Sequence, residues 1–338
     1  MAKICLDRAA YAHNISAIAG KIGDINRIIL VLKDNAYSHG IELIAPEAAR
    51  LGIKFAAVKN EAEAAFIRGI FPHILVLSHI PTGKESEHLI YGINELSALL
   101  RIAPNSKIHL AIDTLMHRNG IALSELDDAF NLIKERGLRL LGAYTHFRSS
   151  DEIGCDYFIQ RQKFNEAKWR ILGLCEQLGL EKPLFHSHNS AALERFKSEL
   201  SDECVRVGIA QYGYSQFDES LGLQRVLSLW ANRVSVREIL AGGRVGYGGL
   251  FSASSDMRVA TYDLGYGDGL LRYGGSGELR LRDGGRLLGK MSMDSFGAED
   301  CGEEVCVFDD ARIWARFFNT IEYDVLTKLS PFIPRVWV

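Results

Sequence analysis

Long apolar runs are what this sequence lacks first. None approaches the ~20 residues that a membrane-spanning helix requires, so no membrane partner is expected. The opening stretch, Met1-Ala2-Lys3-Ile4-Cys5-Leu6-Asp7-Arg8, has no apolar signal-peptide core, and a cytoplasmic location is expected. An excess of charge is also missing. A net charge of −3 gives no electrostatic reason to expect nucleic acid or an anionic membrane surface as a partner. Cysteine is sparse: Cys5, Cys155, Cys175, Cys204, Cys301 and Cys306 are scattered in spacings that fit neither a zinc site nor a disulfide framework. They read as small buried hydrophobes, and no metal is expected. No solenoid-type repeat and no low-complexity tract is present.

What is there fits a soluble enzyme, with 47% apolar and 24% charged residues. At 338 residues the chain exceeds one ordinary core, which predicts two domains, one of them a large barrel. Seven short apolar runs, at 27–32, 54–58, 73–77, 107–113, 138–146, 184–188 and 205–212, read as strands. Segments of helical period separate them. Leu126, Phe130 and Ile133 share a face after Ser124, an N-cap residue type, with Gly137 as the stop. Phe164, Ala167, Ile171, Leu172, Cys175 and Leu178 line another face before Gly179. Strands alternating with helices argue for parallel βαβ units. Their number, with polar residues at the strand ends, favours an N-terminal (β/α)8 barrel of the TIM type over an open sheet. No Gly-x-Gly-x-x-Gly turn follows the first strand, which weakens a dinucleotide-binding reading.

The character changes after about Leu221. Strands are expected at 226–236, 257–262, 278–281, 286–289 and 304–308, separated by glycine turns such as Ala241-Gly242-Gly243 and Asp283-Gly284-Gly285. Little helix is expected among them, and the region reads as a smaller, mainly β C-terminal domain. The expected division is 1–221 and 222–338.

The chemistry gathers at the strand ends. Lys33 closes the run Ile28-Ile29-Leu30-Val31-Leu32, at the C-terminal mouth of the first strand, and polar residues follow at once. α/β barrels place their chemistry at that mouth. A deprotonated lysine there can form a Schiff base with a carbonyl cofactor; the segment alone equally suits a solvated lysine after a buried strand. His146 ends another strand, where a satisfied near-core histidine is the ordinary reading. Arg118 follows a third, in Asp113-Thr114-Leu115-Met116-His117-Arg118-Asn119-Gly120. Asn189-Ser190 follows a fourth and opens a helix, a natural seat for phosphate. Arg206 opens Arg206-Val207-Gly208-Ile209-Ala210-Gln211-Tyr212-Gly213, where a structural ion pair is the ordinary reading. Tyr266 sits among glycines in Leu264-Gly265-Tyr266-Gly267-Asp268-Gly269. Such a tyrosine is usually packed on a turn; the glycines would also let a ligand approach and leave the phenol free for acid–base work. A free phenol with pKa about 10 is a poor base, so nearby positive charge or hydrogen bonds must stabilise its anion.

The segment Lys33-Asp34-Asn35-Ala36-Tyr37-Ser38-His39-Gly40 closely resembles the signature of alanine racemases, whose lysine carries pyridoxal 5′-phosphate (PLP). Asp34 and Ser38 stand where that family usually has small residues. Each of the other segments resembles a motif of the same family in the expected order, and Gly289-Lys290-Met291-Ser292-Met293-Asp294 and Asn319-Thr320-Ile321-Glu322-Tyr323-Asp324 extend the resemblance nearly to the C-terminus.

The resemblance implies a homodimer with shared active sites and a small amino acid as substrate. Lys33 would hold PLP and act as one catalytic base; Tyr266 of the partner subunit would be the other, on the opposite face of the α-carbon. Arg206 would bond the pyridine nitrogen, with His146 linking it toward Tyr266. Tyr37, Ser190, Tyr323 and the backbone of Gly208 and Ile209 would hold the phosphate. Arg118, and Met293 from the partner through its backbone N–H, would meet the substrate carboxylate. Tyr247 resembles a tyrosine lining the entrance. Racemisation removes the α-proton from one face and returns a proton on the other, so two opposed bases suffice. PLP supplies an electron sink. Arg206, permanently charged, does not readily protonate the ring nitrogen, and is expected to disfavour side reactions such as transamination.

The chain departs from the family at Ala111, where many members have a carbamylated lysine that positions the arginine. No carbamate can form on alanine, so Arg118 needs another orienting group, a bound anion or Asp113. Leu115 and Asn119 also replace commoner residues. The leading reading is an alanine racemase, an isomerase that supplies D-alanine for peptidoglycan. A serine or broad-specificity racemase is the alternative on the same scaffold. A non-catalytic PLP-binding protein would resemble the barrel alone, and a related decarboxylase lacks the arginine–histidine–tyrosine pattern.

Overall fold

A computed structural model describes residues 1–195, 202–217 and 219–338. The chain forms two compact units.

The first unit comprises Ala12–Asp34 and Ile41–Gln224. Its strands, Ile28–Val31, Phe55–Val58, His73–Val76, Ile90–Ile93, Lys107–Ala111, Arg139–Tyr144, Leu184–His186 and Glu203–Val207, pair in sequence order as a closed barrel. The last returns to the first, with Ile28 opposite Val205 and Leu30 opposite Val207, in parallel. Runs such as Ile-Ile-Leu-Val and Phe-Ala-Ala-Val are buried at every position, as parallel strands covered on both faces must be. The expected barrel is therefore present.

One strand went unanticipated. Ile90–Ile93 is only four residues long and carries a glycine, so no apolar run announces it. Gly92 is there for room: a Cβ on it would stand 2.8 Å from the Tyr144 hydroxyl of a neighbouring part of the barrel. Several expected strands also stop early, because polar residues at their ends turn into loops; 205–212 becomes the strand Glu203–Val207 and then a 3-10 turn, Ile209–Tyr212.

The helix Leu126–Glu135 buries Leu126, Phe130 and Ile133 as its period requires. Its start differs from expectation. Ser124 lies inside a 3-10 turn, Leu123–Glu125, and Glu125 Oε2 accepts the Ala122 N–H at 2.8 Å. Gly137, with φ +63°, ends the element where a left-handed residue is needed. The long helix Asp156–Leu178 stops at Gly179, also left-handed.

The second unit comprises Met1–Tyr11, Asn35–Gly40 and Arg225–Val338. Its main sheet runs Leu287–Leu288, Phe296–Glu299, Met257–Tyr262, Leu227–Ile239, Lys3–Leu6, Arg335–Trp337, with Glu304–Phe308 also pairing with the long strand Leu227–Ile239. Lys3–Leu6, from the opposite end of the chain, lies antiparallel to Leu227–Ile239 and parallel to Arg335–Trp337. Met257–Tyr262 and Glu304–Phe308 fall where expected. The stretch 278–281 does not form a strand; Arg280 makes a single bridge to Arg286. Two short helices, Ala311–Phe317 and Glu322–Thr327, were not expected, since neither is long enough to display a period. Among the described residues no helix is long and apolar enough to cross a membrane.

Candidate active site

Lys33 stands half-buried at the end of the first barrel strand, and the backbone after it takes an unusual course. Lys33–Tyr37 is wound as one helical turn. From Asp34 to Ser38 every residue has φ between 54° and 62°, so the turn is left-handed without a single glycine. Left-handed geometry costs an L-residue roughly 1–2 kcal/mol, or roughly 5–10 kcal/mol over the five. Local contacts offset it. The Asp34 N–H donates to Glu63 Oε1 at 2.6 Å. The Tyr37 ring is buried against that of Tyr323, centroids 5.9 Å apart. The Ser38 hydroxyl donates to the Leu329 carbonyl at 3.2 Å, and Arg335 Nε donates to the Ser38 carbonyl at 3.0 Å. His39, fully buried, meets the Tyr37 carbonyl through Nδ1 at 2.9 Å.

Arg206 is the electrostatic centre of the barrel unit. It is 5% exposed, and its guanidinium is anchored on several sides. Nη1 donates to His186 Nδ1 at 2.8 Å and to the His186 carbonyl at 2.6 Å. Nη2 donates to the Thr145 carbonyl at 2.6 Å and reaches His146 Nδ1 at 3.4 Å. Its Cζ lies 5.3 Å from the Tyr144 ring centroid, and Tyr144 stacks on His186 at 4.8 Å with 9° between planes. Burial brings the guanidinium down to about 10. His146 is pushed down to about 3 by burial and then by the charges of Arg206, Arg118 and Lys33. Three cations from three different strand ends thus act on one imidazole, which places Lys33, Arg118, His146 and Arg206 at one barrel mouth.

The loops after the seventh and eighth barrel strands meet at Ser190. Ser190 begins the short helix Ser190–Arg195, and its Oγ accepts N–H groups from Gly208 at 3.0 Å and Ala210 at 3.3 Å. Barrels of this type commonly bind phosphate at those loops, and converging backbone N–H groups suit it. Ser190, Gly208 and Ile209 are therefore brought together.

Arg118 is exposed, on a cavity of 620 Å³ that it lines with His79, Asn94, Arg101, Asp113 and His117. Asp113 does not orient it. Asp113 Oδ1 accepts the N–H groups of Leu115 and His117 at 3.0 Å each, and Oδ2 pairs with His117 Nδ1 at 3.0 Å. The carboxylate holds its own loop, where Leu115 and His117 have positive φ. Ala111 is buried.

In the second unit Tyr266 opens the 3-10 turn Tyr266–Asp268, 37% exposed, beside Met293 at 55%. The Tyr266 N–H donates to the Ser292 carbonyl at 3.2 Å, and the Gly267 N–H to that of Met293 at 2.8 Å. The Arg272 guanidinium lies 5.5 Å from the Tyr266 ring centroid. Tyr247 is also exposed. Tyr266 and Met293 therefore share one open surface of their unit, while Tyr37 and Tyr323 share another contact within it.

The sequence reading missed His186, His109 and Tyr144. His186 lay in an expected strand two residues before the supposed end, where its type alone could have drawn notice. His109 sits mid-strand and reads as an ordinary polar interruption.

The family model for the alanine racemase N-terminal domain matches residues 6–216, and that for the C-terminal domain matches 226–337. The alanine racemase of Campylobacter concisus (strain 13826) is 61% identical over 338 residues, covering all of both chains. This chain belongs to the alanine racemase family. Alanine racemase from Bacillus anthracis, solved with bound L-Ala-P, has a TM-score of 0.88 at 27% identity, covering 100% of this chain and 95% of that one. Alanine racemase from Bartonella henselae, solved with covalently bound pyridoxal phosphate, shares the fold at a TM-score of 0.84 and 22% identity, covering 100% and 99%. The alanine racemase family consists of PLP-dependent isomerases, and membership carries that class of chemistry to this chain.

Proposed function

We propose that this chain interconverts L- and D-alanine as a cytoplasmic homodimer, by two-base proton transfer, and supplies D-alanine for peptidoglycan. The observation that carries the proposal is the convergence of Lys33, Arg118 and Arg206 on His146 at one barrel mouth. Residues 1–221 bind the cofactor, and 222–338 contribute to the partner's site.

The residues present fit PLP. Lys33 offers the amine, the Ser190–Gly208 loops suit an oxyanion, and Arg206 is a buried, pre-oriented donor. When bound, PLP withdraws the electron pair left by removal of the α-proton. Lys33 holds the cofactor, and Ser190, Tyr37, Tyr323 and the backbone of Gly208 and Ile209 hold its phosphate. Arg206 would donate to the ring nitrogen while keeping its own proton, with His146 beside it. Arg118 and the backbone N–H of Met293 of the partner subunit grip the substrate carboxylate. Once the substrate amine had displaced Lys33 from the cofactor, Lys33 Nζ and Oη of Tyr266 of the partner subunit would face opposite sides of the α-carbon, one taking the α-proton and the other returning a proton. The Arg272 guanidinium lies over the Tyr266 ring, 5.5 Å from its centroid, and holds the ring against its turn.

The test is D-alanine formation from L-alanine by purified protein with PLP, beside L-serine and a Tyr266→Phe variant. Alanine-preferring turnover that collapses without the Tyr266 hydroxyl supports the assignment. PLP bound at Lys33 with no racemisation of any amino acid overturns it.

A further inference from the structure

Behind Arg206 the barrel core holds a second imidazole that the proposed chemistry does not use. His109 Nδ1 lies 2.8 Å from His186 Nε2, and both rings are fully buried. The protons of this chain can be assigned. A guanidinium only donates, so His186 Nδ1, 2.8 Å from Arg206 Nη1, must carry a lone pair. Neutral His186 then bears its proton on Nε2 and donates it to His109 Nδ1. His109 in turn bears its proton on Nε2, which is shut off from solvent and has no hydrogen-bond partner among the described residues.

We infer that His109 is a positioning residue for Arg206: by accepting the Nε2 proton of His186, it keeps Nδ1 of that ring an acceptor toward the guanidinium. With the opposite tautomer, two N–H donors would face each other across the Arg206–His186 contact. The barrel is shaped for this imidazole. His109 pairs with Gly142 on the adjacent strand, and a Cβ on Gly142 would stand 2.6 Å from the His109 ring. Phe55 presents its ring edge-on to His109 at 5.7 Å. An apolar residue would fill this space without leaving a buried N–H unpaired, so packing alone does not account for a histidine.

The inference rests on the proposed role of Arg206 at the cofactor ring, and its tests can be told apart from tests of that role. The holoenzyme, labelled with 15N-histidine, should report neutral His186 with its proton on Nε2. A proton on Nδ1, or a doubly protonated ring, overturns the inference whatever the activity. His109→Leu removes the acceptor; His109→Asn keeps an oxygen near the place of Nδ1. With alanine, the leucine variant should lose about tenfold in kcat, the scale of one buried hydrogen bond, with KM nearly unchanged. The asparagine variant should recover most of the loss. Equal impairment of both variants, or wild-type kcat in the leucine variant, overturns it. Should the leucine variant fail to fold, the tautomer measurement on the wild type still decides. A wild type that binds PLP yet racemises nothing would sink the functional reading and leave the tautomer result standing.

Discussion

Gly265→Ala tests how closely the Tyr266 phenol, proposed as a catalytic base, must be held. Gly265 has φ −140° and ψ −168°, which any residue adopts, so the substitution is conformationally free. Its effect is purely steric. A Cβ there would stand 2.1 Å from the Met293 carbonyl oxygen and 2.4 Å from its carbon. Real Cβ contacts essentially never fall below 3.0 Å, so the two backbones must part by at least 0.9 Å (3.0 − 2.1). That separation strains the two hydrogen bonds, from Tyr266 and Gly267, that tie the turn to Ser292 and Met293. At about 0.5–1.5 kcal/mol each, their loss would cost about 1–3 kcal/mol. Catalysis should suffer more, because a misplacement of about 1 Å costs on the order of a hundredfold. The assay is kcat for alanine with PLP stoichiometry and thermal unfolding measured on the same preparation. The expected result is full cofactor loading, a melting temperature lower by several degrees, and kcat down about a hundredfold. A variant that melts like the wild type and turns over within about threefold would refute the claim that this turn sets the position of the proposed base.

Acid should weaken the fold well above the carboxylate range. Burial pushes His39 and His109 down to about 3 from the ordinary 6.5, so their stabilisation is present above 6.5 and is lost as pH falls toward 3. At pH 5 the unfolded chain protonates both while the folded chain does not, a loss of about 2 kcal/mol for each. Glu85, buried but held down to about 2 by hydrogen bonds from His79 and backbone N–H groups, loses its contribution only below its ordinary 4.5. Equal urea midpoints at pH 7.5 and pH 5 would contradict this. Ala36→Gly should leave stability within about 1 kcal/mol of wild type: relief of positive φ (about 1–2 kcal/mol) offsets a lost methyl (about 0.8) and a freer unfolded chain (about 0.4–1). Ala36→Val at φ +55° should destabilise strongly; comparable unfolding curves for the two variants would argue against the left-handed turn. Gly142→Ala drives a methyl into the His109 ring and should cost about 1–3 kcal/mol, read as a lower melting temperature; an unchanged one would mean the ring has room to move.

The barrel was legible because parallel strands buried on both faces are written as apolar runs, and because polar candidate residues mark their boundaries: Lys33, His146, Ser190 and Arg206 all stood at such places. Ile90–Ile93 was not legible, since its glycine serves Tyr144 of another strand. The handedness of Asp34–Ser38 was invisible, because no glycine announces it and the contacts that hold it come from Glu63 and from residues near 323–335. The partner of Asp113 could not be read either. With Ala111 unable to orient Arg118, Asp113 or a bound anion was the expected substitute, whereas the loop folds so that His117 and two backbone N–H groups occupy the carboxylate.

The turn after Lys33 also sets an order on the making of the molecule. Ser38 bonds Leu329, 291 positions later, and Arg335 bonds Ser38 across 297. On the ribosome the barrel strands emerge long before those partners exist. Lys33 is therefore synthesised among the first residues, yet the backbone that follows it cannot take its final form until nearly the whole chain has been translated. A ribosome that stops short of residue 329 leaves a barrel whose missing part is, in effect, at its own beginning.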